Sequence, residues 1–309
     1  MTSDLHPRAT LSLAHSADAD DVFMWWPLTG KIDPRNPSRV LAPPVLDTAG
    51  LRFVAVPEDI QALNARASTR ADLDITAISM FTYPAVRERY ILSACGWSLG
   101  DGFGPKLVVA RDSPVRDPLE LRGERLAVPG IQTTANFILS LLLGSTRERP
   151  TFDAAPMRFD QIASAVARGD VRAGVLIHES QIDFEPLGLR ALADLGVWWR
   201  DQTGLPLPLG ANVVRRDLDH RFGPGTLARV GALLRASIAH ALANRAEGLA
   251  YARTFAPPID DAALDRYVAM YVSPLTLDPR PRGVNAVREL FRRAAATGFA
   301  PDPGPLDLI

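Results

Sequence analysis

Leu126-Ala127-Val128-Pro129-Gly130-Ile131-Gln132-Thr133-Thr134-Ala135-Asn136-Phe137-Ile138-Leu139-Ser140-Leu141-Leu142-Leu143 is the stretch on which the fold turns. A short apolar run closes on Pro-Gly, two hydroxyl residues follow, and the apolar residues then resume over a longer span. That order predicts a strand, a tight turn and a helix from Phe137 to Leu143. Downstream, Phe159 to Arg168 reads as a helix, Ala173 to His178 as a strand and Leu187 to Leu195 as a short helix and strand. Upstream, Leu107 to Arg111 is a further strand. Strand and helix alternate, so this part of the chain is expected to be a small βαβ lobe of its own.

The N-terminal part alternates in the same way. Ala9 to Ala14 predicts a strand, His15-Ser16-Ala17-Asp18-Ala19-Asp20-Asp21 a tight loop with capping chemistry, and Val22 to Leu28 a helix. Leu51 to Val56 and Asp74 to Ser79 read as strands, Pro57 to Asn64 and Pro84 to Arg89 as helices, and Tyr90 to Ala94 as another strand. Prolines and polar residues from Thr29 to Pro44 predict a loop or excursion. Leu205 to Arg215 is proline-rich and extended, able to carry the chain back to the first lobe. Beyond it, Gly225 to Asn244, Glu247 to Phe255, Asp260 to Tyr271 and Val284 to Thr297 carry apolar residues at helical spacing. The expectation is an α/β protein of two lobes, residues 1–107 with 211–309 and residues 108–210. Each lobe would be a mostly parallel sheet flanked by helices, with a two-crossing hinge and a ligand in the cleft.

Composition narrows the function classes. The 309 residues suit two lobes of ordinary size, and 47% hydrophobic with 22% charged residues is ordinary globular usage. A formal net charge of -1 offers no field for nucleic acid. Lys31 and Lys106 are the only lysines, so arginine carries nearly all the positive charge, which looks like a genomic bias and implies no function. Cys95 is the only cysteine, which rules out an internal disulfide and a cysteine metal cluster. The first residues contain early acidic groups and no apolar h-region, so a cytoplasmic location is expected. The longest apolar run, Phe137 to Leu143, is too short to span a bilayer.

Three places could carry chemistry. The start of the helix after Gly130 offers the hydroxyls of Thr133 and Thr134 and unpaired first-turn N–H groups, a setting that favours an anion such as a carboxylate; Thr133 could equally be a plain helix cap. His178 ends an apolar strand and precedes Glu179-Ser180. It could act as a general base oriented by Glu179 or a backbone carbonyl, or it could be a hydrogen-bonded structural histidine. His15 with Asp18, Asp20 and Asp21 has the residue types of a metal site, but helix-start capping is the simpler account. His6, His220 and His240 lie in a tail, a loop and a helix, with no metalloprotease spacing. The glycines at 100, 102 and 104 precede a strand, whereas phosphate cradling needs a helix, so they read as hinge or turn glycines.

Several ordered blocks resemble the 1,4-dihydroxy-6-naphthoate synthases of the futalosine route to menaquinone. They are His15-Ser16-Ala17-Asp18-Ala19-Asp20-Asp21-Val22-Phe23, Gly100 to Pro105, Val128-Pro129-Gly130 with Thr133-Thr134-Ala135, and Ile177-His178-Glu179-Ser180. The last is Asp194-Leu195-Gly196-Val197-Trp198-Trp199 with Thr203-Gly204-Leu205-Pro206-Leu207-Pro208-Leu209-Gly210. The resemblance implies a periplasmic-binding-protein-like type II fold and a lyase converting cyclic de-hypoxanthine futalosine to 1,4-dihydroxy-6-naphthoate. It implies no metal and no organic cofactor. By matching motif, His178 would be the proton acceptor and Thr133, Thr134 and Ala135 would hold the substrate. Ala77, Ile78 and Ser79 would line the opposite wall, with His15 and Asp20 as further contacts. The implied partner is a small carboxylated aromatic substrate, with neither nucleic acid nor membrane, for a monomer or homodimer.

This chain departs from some members in having Ala77 where they have lysine and the His15 to Asp21 loop where they have Cys-Pro-Asn-Asp. It also carries the extra stretch from Thr29 to Gly50. The alternative function on the same fold is a non-catalytic solute-binding or ligand-sensing protein for a small carboxylate. A solute-binding protein of a transporter would call for an export signal or lipobox cysteine, and His178 is what separates an enzyme from a sensor.

Overall fold

The structure, a computed structural model, describes residues 9–309. His6 and the first residues read above for an export signal lie outside that range. In chain order, the N-terminal segment forms β1 (Ala9–Ser16), α1 (Ala19–Thr29), β2 (Lys31–Asp33), β3 (Asn36–Ala42) and β4 (Leu51–Glu58). It continues through α2 (Ile60–Thr69), β5 (Ile75–Ser79), α3 (Tyr83–Val86), β6 (Tyr90–Leu92) and β7 (Ser98–Gly100). The middle of the chain forms β8 (Lys106–Ala110), β9 (Arg125–Val128), α4 (Thr134–Leu142), β10 (Asp153–Pro156), α5 (Phe159–Arg168) and β11 (Ala173–Leu176). Then come β12 (Leu189–Asp194), α6 (Leu195–Thr203), β13 (Leu207–Arg215) and the helices α7 (Leu218–Phe222), α8 (Thr226–Ala243) and α9 (Arg245–Ala252). The chain ends with α10 (Asp261–Tyr271), α11 (Pro274–Leu277) and α12 (Arg282–Ala296).

Two main sheets result. One has the order β4-β1-β5-β13-β6, with β7 also paired to β13; the other has the order β10-β9-β11-β8-β12. In the first sheet only β13 runs against its neighbours. In the second only β8 does. These two reversed strands are the first strands laid down after each crossing between the sheets. A chain that leaves one sheet by a short connection enters the other antiparallel, whereas helix-bearing crossovers within a sheet restore the parallel direction.

Local chemistry explains most element starts. Asp18 caps α1, Asp59 caps α2, Thr133 caps α4 and Asp194 caps α6, each with a side-chain oxygen accepting a first-turn N–H. Helix α1 begins at Ala19, three residues before the expected start, and every one of its residues is buried. It packs against α8, α9 and α10, and Val22, Phe23, Met24, Trp25 and Trp26 carry much of that core. A helix buried all round has no polar face, so periodicity could not locate its first turn.

The excursion expected after Thr29 is instead a β-hairpin of β2 and β3. Tyr251 anchors it, since its hydroxyl accepts from the Ile32 N–H at 2.9 Å. Prolines at 34 and 37 hide the strand pattern because they remove ladder donors. Strands β7 and β10 are short additions without a clear sequence signal. The residues after 187 form one strand followed by α6, so the helix comes after the strand and extends to Thr203.

The first crossing relies on glycine. A side chain on Gly196 would lie 1.9 Å from the Phe103 carbonyl oxygen, and one on Gly104 would lie 2.8 Å from the Gly196 nitrogen. The backbones of the crossing segment and of the α6 start are therefore in contact.

Candidate active site

The cleft between the sheets is lined from the carboxyl ends of four parallel strands, two in each sheet: Ser16 at the end of β1, Ser79 at the end of β5, Thr133 and Thr134 after β9, and His178 after β11. Strand ends of this kind are where open α/β sheets bind ligands. Ala77, Ile78, Ala135, Asp18, Asp20 and Asp21 complete much of the wall, with Asn212 from β13 and with Tyr267 and Tyr271 from α10. Of the expected site residues, Ala77, Ile78, Ser79, Thr133, Thr134, Ala135, Asp20 and His178 all line this one cavity. His15 does not: it is buried behind the wall, its Nδ1 2.7 Å from the Ser16 carbonyl oxygen. Burial lowers its pKa, against the opposing influence of that carbonyl and Asp18.

His178 stands in a left-handed backbone conformation, φ 55°. For a residue with a side chain this is uncommon and costs free energy, so the surroundings must hold it. Its Nδ1 lies 2.5 Å from Oδ2 of Asp18 as a close ion pair, and its ring meets Phe159 edge to face at 4.6 Å. Nε2 is buried without a hydrogen-bond partner among the described residues. Burial opposes the charged imidazolium, but the charge and hydrogen bond of Asp18, helped by Glu179 and Asp59, outweigh it and push the pKa up to about 9. Burial likewise acts against the Asp18 carboxylate, and His178 more than compensates, holding it below the usual range. Neither Glu179 nor a backbone carbonyl orients the ring, as the sequence had allowed. Glu179 instead accepts the Ala19 N–H at 2.9 Å.

The other acids of this corner are arranged differently. Asp20 accepts the Tyr267 hydroxyl at 2.9 Å, and Asp21 accepts the Ser16 N–H at 2.7 Å. Burial, with repulsion from Asp18 and other neighbouring acids, raises Asp20 well above its ordinary value and Asp21 to about 8. Burial and Asp18 also raise Glu179. One carboxylate is thus ionised against His178 while its neighbours favour their protons. Asp18, Asp20 and Asp21 are the three groups among the described residues whose carboxylate oxygens gather closely, within 4.8 Å, as a cation would require. Each of them lends an oxygen to the protein itself, and Asp18 caps α1 as the sequence predicted.

On the facing side, Thr133 caps α4 through its hydroxyl, which also donates to the Gly130 carbonyl at 2.7 Å. The Thr134 hydroxyl spans the cleft, donating to the Leu209 carbonyl at 2.8 Å and accepting the Phe81 N–H at 3.1 Å. Both hydroxyls are engaged with protein. What remains for an anion is the first-turn N–H groups of Thr134 and Ala135, which have no intrahelical acceptor.

Residues 11–296 match the family model described as menaquinone biosynthesis. The chain belongs to that family. Across the menaquinone biosynthesis family, it is 40% identical over 299 residues to the 1,4-dihydroxy-6-naphtoate synthase of Thermus thermophilus, covering 96% of this chain and 98% of the relative. A crystal structure of a protein from Archaeoglobus fulgidus shares 36% identity with a TM-score of 0.78, covering 94% of this chain and 98% of the other. An alkanesulfonate-binding protein from Xanthomonas axonopodis pv. citri, 16% identical, matches with a TM-score of 0.62 over 95% of each chain and shows the fold alone. The fold is therefore the two-lobed, periplasmic-binding-protein-like one that the sequence blocks implied. The described residues contain no helix long and apolar enough to cross a membrane.

Within this family member, several site residues escaped sequence reasoning. Asn64 is fully buried and grips Ser79 twice: it donates from Nδ2 to the hydroxyl at 2.9 Å and accepts the Ser79 N–H at 2.8 Å. Gln181 and Tyr271 pair across the cleft at 2.9 Å. Tyr267 and Tyr271 lie far along the chain on a helix that reads as ordinary core. A buried polar residue inside an apolar pattern was the one signal available, at Asn64.

Proposed function

We propose that this member of the menaquinone biosynthesis family is an enzyme converting cyclic de-hypoxanthine futalosine to 1,4-dihydroxy-6-naphthoate by base-catalysed elimination. His178 would be the proton acceptor. The observation that carries the reading is the buried, unpartnered Nε2 of His178 at the cavity wall, backed by an ionised carboxylate on Nδ1. Proton abstraction needs such a nitrogen within reach of the substrate. Nε2 would take the proton beside the reacting centre, the C–H electron pair would enter the forming aromatic ring, and the sugar-derived fragment would depart. Aromatisation would drive the step forward. The near-full-length relative named for the same product supports the assignment.

In this reading the N–H groups of Thr134 and Ala135 hold the substrate carboxylate, with Thr133 fixing the helix that presents them. Ala77, Ile78 and Ser79 form the opposite wall, and Asp20 faces the polar part of the substrate, with His15 supporting the loop behind it. The reaction calls for neither metal nor organic cofactor. Two lobes, drawn near residues 1–107 with 211–309 and residues 108–210, would close on the substrate and exclude water.

Incubating the metal-stripped protein with cyclic de-hypoxanthine futalosine, and following 1,4-dihydroxy-6-naphthoate by mass spectrometry, tests the proposal. Product that vanishes in His178→Ala is the expected outcome. Binding without turnover would favour a ligand sensor, and full activity in His178→Ala would remove the base assignment.

A further inference from the structure

His178 and Asp18 come from different sheets. Asp18 follows β1 of the first, and His178 follows β11 of the second. Resting on the reading of His178 as the base, we propose that Asp18 is its positioning residue, reaching across the cleft to hold Nδ1–H and leave Nε2 as the nitrogen that takes the proton.

Four observations converge on this pair. The contact is short, 2.5 Å, and the carboxylate is steadied from its other oxygen, which accepts the Asp21 N–H at 3.4 Å. The ring is held from behind by Phe159 and by an uncommon backbone conformation, φ 55°, which fixes its direction at a cost in stability. Nε2 is buried and free of protein partners while its residue lines the cavity. Finally, the competing acids are committed elsewhere: Asp20 to Tyr267, Asp21 to Ser16 and Glu179 to Ala19.

The charged groups facing the imidazole are then Asp18 and Asp21 at the start of α1, Glu179 beside it in sequence and Asp59 at the cap of α2. Tyr267 and Tyr271 close the side formed by α10. Of these, Asp18 alone forms an ion pair with the ring, at 2.5 Å.

The pair has a consequence for timing. A dyad with one partner in each lobe is complete only when the lobes meet, so the base is oriented only around an enclosed substrate. Helix capping alone would account for Asp18 without His178. The two accounts part on what happens to the imidazole when the carboxylate loses its charge.

Asp18→Asn keeps the helix cap, because asparagine caps as well as aspartate. Nitrogen-15 spectra of the full chain, labelled in histidine and assigned with His178→Gln, read the tautomer and titration of His178 directly. In the parent protein we expect a single neutral tautomer protonated on Nδ1, titrating near 9. In Asp18→Asn we expect a mixture of tautomers and a midpoint lower by more than one pH unit. Turnover should fall roughly 100- to 10,000-fold with KM changed only a few-fold, as when an orienting carboxylate is removed from a catalytic histidine, and Asp18→Glu should recover part of the loss. An unchanged tautomer and midpoint in Asp18→Asn would reduce Asp18 to a helix cap. The spectra do not depend on turnover. If His178→Gln stays fully active while the Asp18 effect on the ring persists, it is the functional reading that fails and the dyad that stands.

Discussion

Gln61 of α2 and Gln132, just ahead of α4, exchange two hydrogen bonds: the Gln61 Nε2 donates to the Gln132 Oε1 at 2.9 Å, and the Gln132 backbone N–H donates back to the Gln61 Oε1 at 3.0 Å. The Gln132 amide also donates to the Ser68 hydroxyl at 3.1 Å. Gly130 makes room for this latch, since a side chain there would lie 2.2 Å from the same Gln61 oxygen. With His178–Asp18, Gln181–Tyr271 and the Thr134 hydroxyl, it is one of several contacts that bridge the two sheets' lobes.

Gln132→Ala should loosen the closed form. It removes two side-chain hydrogen bonds of about 1 kcal/mol each. The expected outcome is a larger radius of gyration by small-angle scattering and a KM raised several-fold with a smaller change in kcat. An unchanged scattering profile and KM would mean that other cross-lobe bonds suffice.

Stability should fall as the solution becomes alkaline. His178 is raised from 6.5 to about 9 in the folded protein, so its contribution is whole below 6.5 and is lost as pH rises through about 9. Asp21, raised from 3.8 to about 8, acts in the same direction over its own window. Urea midpoints measured at pH 6, 7.5 and 9 should therefore decrease in that order. His178→Gln should flatten the upper part of the trend.

The same value sets the pH dependence of catalysis. A base must be unprotonated to accept a proton, so kcat/KM should climb with pH toward a limb near 9. A profile already flat from pH 6.5 would show that the titrating base is another group or that substrate binding displaces the His178 proton.

Asn64→Ala should destabilise the protein by about 2 kcal/mol, because it leaves the Ser79 N–H without its acceptor in a buried site. Thermal unfolding reads the loss as a drop of several degrees in Tm. Asn64→Asp, which keeps an acceptor for that N–H, should lose less near the pH at which it is protonated.

Gly196→Ala should be costlier than an exposed glycine change. Its methyl group would sit 1.9 Å from the Phe103 carbonyl oxygen, and the start of α6 would have to move off the crossing segment. Gly123→Ala, where nothing lies within 4 Å but φ is 82°, serves as the control that carries only backbone strain. A smaller loss in Gly196→Ala than in the control would show that the crossing yields easily.

The lobes' alternating character, the capped starts of α1 and α4, and the placement of His178 at a strand end could all be read from the residues in order. Those features rest on local chemistry: a cap needs a short polar side chain beside its own helix, and a buried parallel strand shows as an unbroken apolar run. Local reading also singled out Thr133, Thr134 and His178, and the family resemblance added Ala77, Ile78, Ser79, Ala135 and Asp20 to the part of the cavity wall foreseen. That Asp18 meets His178, 160 residues further along the chain, that Thr134 spends its hydroxyl on Leu209 and Phe81, and that Asn64 grips Ser79 became visible only in the folded chain. Nor could local pattern reveal the β2–β3 hairpin, whose prolines mask its strands and whose anchor is Tyr251. Each of these is a pairing between groups distant in sequence, and its energy depends on burial and geometry that exist only once the two sheets have been brought together.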